Sequence, residues 1–376
     1  MPHSPELSEI ATTLANLAPA SCRVVTGFDG FVDEMITLVN ERQSLDEFVP
    51  VADIATFGRL VTAAAGHSSL REIVVNSMDP GGCAVTLADG LASLGVMVDC
   101  FATLGDPVHA AFREIAGKCR SFHSWGREPG RTLAFEFSDG KLMFSAVRQL
   151  AELTPAAVRG FLATGVYAAA CAQAGIIALT DWTLYPHMTA VWRLLQQEVF
   201  AQLTHRPHFF IDLVDPVSRS EVDVREMAAM LRDFEPAGPL TLGLNGNEAN
   251  ILSRIHGLSE RSDDQNHDAT LQQAYALRER LGISRVVIHQ LHFATSASEI
   301  GGFTRLGPYC PNPKKSTGAG DRFNAGYCFG LGHGLGDSTA LALGCAAAGF
   351  FVRHARSATL PELQRFLGEN EHADMR

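Results

Sequence analysis

The stretch Ser316-Thr317-Gly318-Ala319-Gly320-Asp321-Arg322-Phe323-Asn324-Ala325-Gly326 decides how the rest of this chain is read. Three small residues, Gly318, Ala319 and Gly320, run directly into an acid, and a helical segment follows from Arg322 to Leu331. Small residues at a helix start let backbone N–H groups converge on an anion, and the helix dipole favours negative charge there. A carboxylate beside such a hole is electrostatically costly unless it removes a proton. Asp321 therefore suits a base that activates a hydroxyl for attack on a phosphoryl group. Taken alone, the string reads more simply as a glycine-rich turn with Asp321 capping a helix. Its neighbours must lift it.

Three other segments do so. Pro80-Gly81-Gly82-Cys83-Ala84 opens a helix that ends at Leu94-Gly95, and a double glycine there admits a ligand close to the backbone, or simply makes a tight turn. Thr26-Gly27-Phe28-Asp29-Gly30-Phe31-Val32-Asp33 places two carboxylates just beyond a first strand, Ser21 to Phe28. In an open α/β sheet ligands gather at the carboxyl ends of strands, where Asp29 and Asp33 suit the hydroxyls of a substrate; Asp29 suits turn formation equally well. Asn245-Gly246-Asn247-Glu248 follows the strand Leu240 to Leu244. Its N-x-x-E spacing suits a hydrated Mg²⁺, or an Asn cap with an acidic first helical turn.

Between these motifs, short β-branched or aromatic runs alternate with longer Ala/Leu-rich segments, as in a sheet covered by helices. Strands are expected at Val96–Thr103, Ile176–Thr180, Phe209–Val214 and Arg285–His289, with helices such as Ala84–Leu94, Met188–Leu203 and Leu271–Leu281. Thr132–Phe137 and Lys141–Ala146 flank Ser138-Asp139-Gly140 as a hairpin. This β/α rhythm implies parallel strands with right-handed crossovers. Asp33–Pro80 breaks it and carries an amphipathic stretch from Ala52 to Ala65, so a lid is expected there. Ser259–Asp268 is polar without periodicity and reads as a solvated loop.

Composition narrows the function classes. The 376 residues are 46% hydrophobic and 19% charged, which excludes a disordered or fibrous chain. Net charge is −11, so the surface lacks the basic patches that a nucleic-acid backbone demands, and no nucleic-acid partner is expected. The longest apolar stretch, Val166–Thr180, is too short for a bilayer, and the first residues lack the basic start and apolar run of a signal peptide. Eight scattered cysteines without a Cys-x-x-Cys pair read as reduced thiols. The expectation is a cytoplasmic globular protein without a membrane partner.

Taken together, in this order and each after a strand, the four motifs make the chain resemble the ribokinase-like sugar kinases, the PfkB carbohydrate kinase family, from about Arg23 to Phe366. The resemblance implies one ribokinase-like α/β domain over residues 1–376, a doubly wound, mostly parallel sheet with a small lid lying within 33–80 plus parts of 119–132. It implies transfer of the γ-phosphate of ATP to a hydroxyl of a sugar or sugar acid, with Mg²⁺. Residue by residue, Asp321 matches the catalytic base and Gly318, Ala319 and Gly320 the anion hole. Asn245 and Glu248 match the magnesium and phosphate motif, with Glu248 reaching the metal through water, and Asn324 lies near the nucleotide or is structural. Asp33 best matches the substrate-hydroxyl acid, with Asp29 a competing register, and Gly81 and Gly82 match the pair against which the sugar lies. A homodimer is compatible with the family.

The departures concern the substrate and the cation. Cys83 and Thr86 stand where the family usually has Asn. Lys315-Ser316-Thr317 replaces the Asp-Thr-Thr whose acid helps bind a monovalent cation in many relatives, so Lys315 is expected to supply that charge itself. The loop His289-Gln290-Leu291-His292 lacks the glycine expected after its strand. Asp181-Trp182 suits a sugar-pocket wall or, equally, core packing for the ring. Arg127, Arg131 and Lys141 suit a substrate phosphate or, more commonly, a charged surface. The pairs His205/His208 and His289/His292 lack a third ligand at zinc-site spacing, and Gly332–Gly336 follows a helix and reads as its C-cap. Two rivals remain beside the sugar kinase: a nucleoside kinase, and a silent sugar sensor on the same fold.

Overall fold

The computed structural model describes residues 6–261, 263 and 265–369. Its strands in chain order are β1 (Arg23–Gly27), β2 (Phe31–Arg42), β3 (Phe48–Pro50), β4 (Ile73–Gly81), β5 (Met97–Ala102), β6 (Ser121–Ser124) and β7 (Gly130–Phe137). They continue with β8 (Gly140–Ala146), β9 (Ile176–Thr180), β10 (His208–Asp212), β11 (Leu240–Asn245), β12 (Arg285–His289), β13 (Phe293–Ser298) and β14 (Gly301–Leu306). Nine strands form one sheet in the order β14-β13-β12-β11-β10-β9-β1-β5-β6. Pairing is parallel from β12 to β6 and antiparallel at β12–β13 and β13–β14.

The sheet is covered on both faces, and its central strands, such as β9 and β10, are accordingly mostly apolar and buried. Side chains alternate between two cores. Val24, Ile176, Ala178, Phe210 and Val287 enter one with the helices Cys83–Ser93, Ala319–Gly332 and Asp337–His354. Val25, Ile177, Leu179, Phe209 and Val286 enter the other with Met188–Glu198, Glu221–Leu231, Gly246–Ile255 and His267–Leu281. The apolar run Val166–Thr180 resolves into the helix Val166–Cys171 and β9, and no described helix is long and apolar enough to cross a membrane. All eight cysteines are free thiols. β1 lies between β5 and β9, so the sheet grows first to one side and then to the other. A reversal of this kind opens a crevice at the carboxyl ends of the strands.

A second, five-stranded sheet has the order β3-β2-β7-β8, with β4 paired to β2. The helix Ile54–Ala63, capped by Asp53 accepting from the Thr56 N–H at 2.6 Å, stacks Phe57 against Phe135 and Phe137. The 33–80 portion supplies β2, β3 and β4, and from 119–132 residues 130–132 join them as the start of β7, while β6 closes the edge of the large sheet, parallel to β5. Buried Asp99 on β5 fixes it there by accepting hydrogen bonds from Arg120 and Ser121. The other small-sheet strands are the hairpin β7–β8, residues 130–146. In the loop Ser259–Asp268, residues 262 and 264 lie outside the described residues, and Arg261 is buried against Gln273, 2.9 Å away, rather than solvated.

Candidate active site

Each candidate acid sits where a strand or turn delivers it. Asp29 leaves the carboxyl end of β1 and is buried. Its carboxylate accepts the N–H groups of Cys83 and Ala84, the latter at 2.8 Å, and the Thr180 hydroxyl at 2.6 Å. It therefore caps the helix Cys83–Ser93, whose own N-cap is Gly82 at φ 93°. A Cβ on Gly82 would lie 2.8 Å from the Asp29 carbonyl oxygen, so glycine is required for space as well as conformation. Burial raises the Asp29 pKa against these three hydrogen bonds.

Asp33 lies on β2, opposite Asp79 on β4 and Thr132 on β7. Any Cβ on Gly81 would overlap its carboxylate, so the first glycine of the pair makes room for this acid. Two like charges directly across a ladder are unfavourable. Lys315 answers them, with Nζ 3.0 Å from Asp79 Oδ2. Burial raises the Asp33 pKa, Asp79 adds to it, and the Thr132 hydroxyl and Lys315 oppose it. Lys315 thus faces the small sheet, and Lys141 Nζ reaches Thr317 Oγ1 of the same loop at 3.3 Å.

The helix Ala319–Gly332 begins at Gly318, φ 90°, and no side chain caps it. Asp321 sits in its first turn; desolvation, with Asp212 nearby, pushes its carboxyl up to about 6, while Arg322 and the Thr86 and Cys83 side chains pull the other way. Asp181 follows β9 at φ 56°, buried, with one carboxylate oxygen accepting the Leu184 N–H at 2.9 Å and the other unpartnered. Burial and the nearby Asp29 hold its pKa well above the ordinary range.

A cavity of about 770 Å³ brings together Asp29, Asp33, Gly81, Gly82, Asp181, Lys315, Gly318 and Asp321. Cys83 and Thr86 line it too. Ala319 and Gly320 instead line a second, more apolar cavity of about 240 Å³ with Phe293, Pro308, Tyr309, Phe323 and Val352. The Gly318–Gly320 turn is therefore a partition with one cavity on either side.

Asn245, Glu248 and Asn324 line neither cavity. Asn245 and Glu248 form a reciprocal capping box, Asn245 Nδ2 donating to Glu248 Oε1 at 2.8 Å and the Glu248 N–H to Asn245 Oδ1 at 2.9 Å. Burial, with Asp212, Asp215 and Asp321 nearby, pushes Glu248 up to about 8. Asn324 donates to Asp212 Oδ2 at 2.6 Å. Asp212, buried at the end of β10, was not singled out from the sequence, although a lone acid closing the apolar strand FFID before Asp215-Pro216 is the signal that would have found it. It is a common electrostatic neighbour of Asp321 and Glu248. Among the described residues no three His, Cys, Asp or Glu side chains are grouped to hold a metal directly.

Several open alternatives resolve. Trp182 is buried in the core, its indole N–H on Thr189 Oγ1 at 2.8 Å and Arg219 stacked 4.0 Å from the ring. Arg131 pairs with Glu34 and Lys141 with Glu136, and neither they nor Arg127 line the cavity. His208 is pushed down to about 4 by burial beside Arg285. His289, likewise pushed down to about 4 by burial, lies against Phe323 with ring centroids 5.0 Å apart. The turn after it closes tightly, the Gln290 N–H donating to Phe293 O at 2.7 Å, so no glycine is needed.

Comparison with known proteins bears on this arrangement. The family model for prokaryotic ketohexokinase matches residues 11–370. A ketohexokinase of Haloferax volcanii is 30% identical over 347 residues, 92% of this chain and 90% of that protein. Among solved structures, a ribokinase from Cryptococcus neoformans in complex with ADP aligns at TM-score 0.63 and 15% identity, covering 92% of this chain and 98% of the other. A carbohydrate kinase from Agrobacterium tumefaciens aligns at TM-score 0.62 and 16% identity, covering 92% and 97%. At those identities the solved structures establish the ribokinase fold.

Proposed function

The chain belongs to the prokaryotic ketohexokinase family, and from that premise and the cavity geometry we propose that it transfers the γ-phosphate of ATP to a hydroxyl of a ketohexose with Asp321 as the base. The observation that carries this reading is the partition: Gly318 faces the cavity holding the acids, while Ala319 and Gly320 face the apolar one. A sugar in the first and an adenine in the second would meet across the uncapped helix start, where the phosphates lie.

The roles follow from the surroundings of each group. Asp321, pushed up to about 6, is ionised at neutral pH yet basic enough to take the acceptor's proton as its oxygen attacks the γ-phosphorus. The Gly318–Gly320 amides stabilise charge on the phosphoryl oxygens without reorganising. Asp33 and Asp181, each carrying free acceptor capacity toward the cavity, hold sugar hydroxyls. Asp29 supports the floor, because its oxygens already serve Cys83, Ala84 and Thr180. Cys83 and Thr86 contact Asp321 and steer it.

For Mg²⁺, the residues fit a hydrated ion rather than a directly ligated one. Glu248 is engaged in its capping box, yet Asp212, Asp215 and Asp321 add to burial in raising its pKa, and Asp212 also raises that of Asp321, which marks a concentration of negative charge. Glu248 with Asn245 would hold the ion through water, and when bound it supplies charge neutralisation to the phosphates. Lys315 would stand in for a monovalent cation from its place beside Asp79. Consumption of ATP and the eight free thiols support a cytoplasmic site of action. Exposed Ile73, Val75 and Phe144 on the small sheet support a homodimer through that face.

The direct test is a coupled assay of ADP release over a panel of ketohexoses, aldohexoses, sugar acids and nucleosides. Fructose-type ketohexoses should give the highest kcat/KM; a nucleoside outperforming every sugar, or sugar binding without ADP release, would overturn the assignment.

A further inference from the structure

Arg322 immediately follows the proposed base, and its guanidinium turns back across the helix start instead of running out to solvent. Its residue is 9% exposed. Nη2 donates to Asp89 Oδ2 at 3.0 Å, Nε donates to Ser357 Oγ at 3.1 Å, and the group stacks on Phe351 with its carbon 4.5 Å from the ring centroid. Asp89, itself buried on the helix Cys83–Ser93, also accepts from Ser357 Oγ at 2.6 Å and from Lys118 Nζ at 2.9 Å. The guanidinium is thus held on three sides by groups from three separate segments. Its remaining nitrogen, Nη1, has no hydrogen-bond partner among the described residues. It is that nitrogen which would lie 2.9 Å from a Cβ on Gly318, and Arg322 lines the same cavity as Asp321.

A buried, locked arginine with one open nitrogen beside an uncapped helix start has one evident use. Resting on the kinase reading above, we propose that Arg322 is a catalytic residue whose Nη1 hydrogen-bonds an equatorial oxygen of the phosphoryl group in transfer, with Asp89 and Ser357 as positioning residues. In that step the acceptor oxygen bonds to the γ-phosphorus, and the bond from phosphorus to the β,γ-bridging oxygen breaks. ADP leaves with that electron pair, and the acceptor proton passes to Asp321. Arg322 exchanges no proton; its planar fork is already oriented, so it stabilises charge spread over the phosphoryl oxygens without a reorganisation cost. Asp89 shares its carboxylate with Lys118, which pairs in turn with Glu114, so Arg322 acts here as a fixed, directed hydrogen-bond donor rather than as a surplus charge.

The test compares wild type, Arg322→Lys, Arg322→Gln and Asp89→Asn in steady-state kinetics, thermal melting and binding of ADP plus aluminium fluoride with the sugar. Arg322→Lys keeps the charge but loses the fork. Its kcat should fall roughly 100-fold, with the KM for sugar nearly unchanged. The gain in ADP affinity produced by aluminium fluoride should disappear, while affinity for ADP alone persists. Asp89→Asn should lose part of the same gain. Arg322→Lys that retains wild-type kcat and the aluminium fluoride gain overturns the proposal, as does a loss confined to melting temperature or to the sugar KM. If Arg322→Gln fails to fold, the Lys variant decides alone. Wild type that phosphorylates no sugar at all would instead sink the kinase reading, a result visible before any variant is made.

Discussion

Two glycine-led helices, Cys83–Ser93 and Ala319–Gly332, point their N-termini at one cavity and meet opposite fates. The first is filled from within: Asp29 gives a carboxylate to the Cys83 and Ala84 amides. The second has no side-chain cap, and its neighbours are an acid of raised pKa and a locked arginine. A helix start binds an anion only if the fold has not already supplied one. Two similar motifs thus divide the labour: one end builds the wall, and the other is left open for the phosphate that the proposed function places there.

The largest effect should come from the open end. Asp321→Asn should lower kcat by about 10²–10⁴-fold while ADP affinity and melting temperature hold, measured by coupled assay, calorimetry and thermal melting. Retained turnover would erase the distinction between the two ends. The same group predicts the pH profile. A base with a pKa of about 6 must be ionised, so kcat should fall tenfold per unit as pH drops below that value and level off above it. An acid limb lying near pH 4 would assign the proton transfer elsewhere.

The filled end should respond in stability. Asp29→Ala strands two buried amides and the Thr180 hydroxyl, and should cost about 2–4 kcal/mol in denaturant unfolding. Asp33→Asn, in contrast, should leave unfolding nearly unchanged and raise the sugar KM roughly 10- to 100-fold, because the amide oxygen still accepts from the Thr132 hydroxyl and relieves the repulsion from Asp79 while the ligand loses a charged acceptor. If the two variants exchange phenotypes, Asp29 is the ligand and Asp33 the structural acid.

A third helix start sharpens the contrast in a gentler way. Glu248 is pushed from an ordinary 4.5 up to about 8, so its neutral form is favoured in the native state. That contribution is complete below pH 4.5 and is lost as pH rises through about 8. Glu248→Gln should therefore flatten the dependence of melting temperature on pH across that interval; a slope equal to wild type would exclude Glu248 as its source. The smallest expected effect is none: replacing choline by K⁺ should leave turnover unchanged in wild type, because Lys315 already sits in the Asp33/Asp79 cluster. Many-fold activation by K⁺ would show that Lys315 does not take the cation's place.

Much of this was legible in the chain. The strands Ile176–Thr180 and Arg285–His289 coincide with β9 and β12, because continuous short apolar runs have no stable home except a strand covered on both faces. The helix starts at Gly82 and Gly318 were readable because glycine is punctuation of known meaning. What escaped were pairings across sequence distance. Asp212, Asp89 and Ser357 carry no motif; they matter through Asn324, Arg322 and each other, up to 268 residues apart. Which part of 119–132 joins the small sheet escaped for the same reason, since only the long-range ladder with β5 places β6 in the large one.

By itself, then, the sequence determined the alternation of elements and the placement of acids after strands, and it singled out Asp321 as the candidate base, because these are local: periodicity, glycine and helix-start chemistry act within a few residues. Tertiary structure alone decided which cavity-lining carboxylate spends its oxygens on buried donors and which keeps acceptor capacity open. It also turned Lys315 toward Asp79 and left one arginine nitrogen free beside Gly318. Those outcomes depend on which buried donors each group meets, and an unmet donor or charge is costly enough to override any local preference.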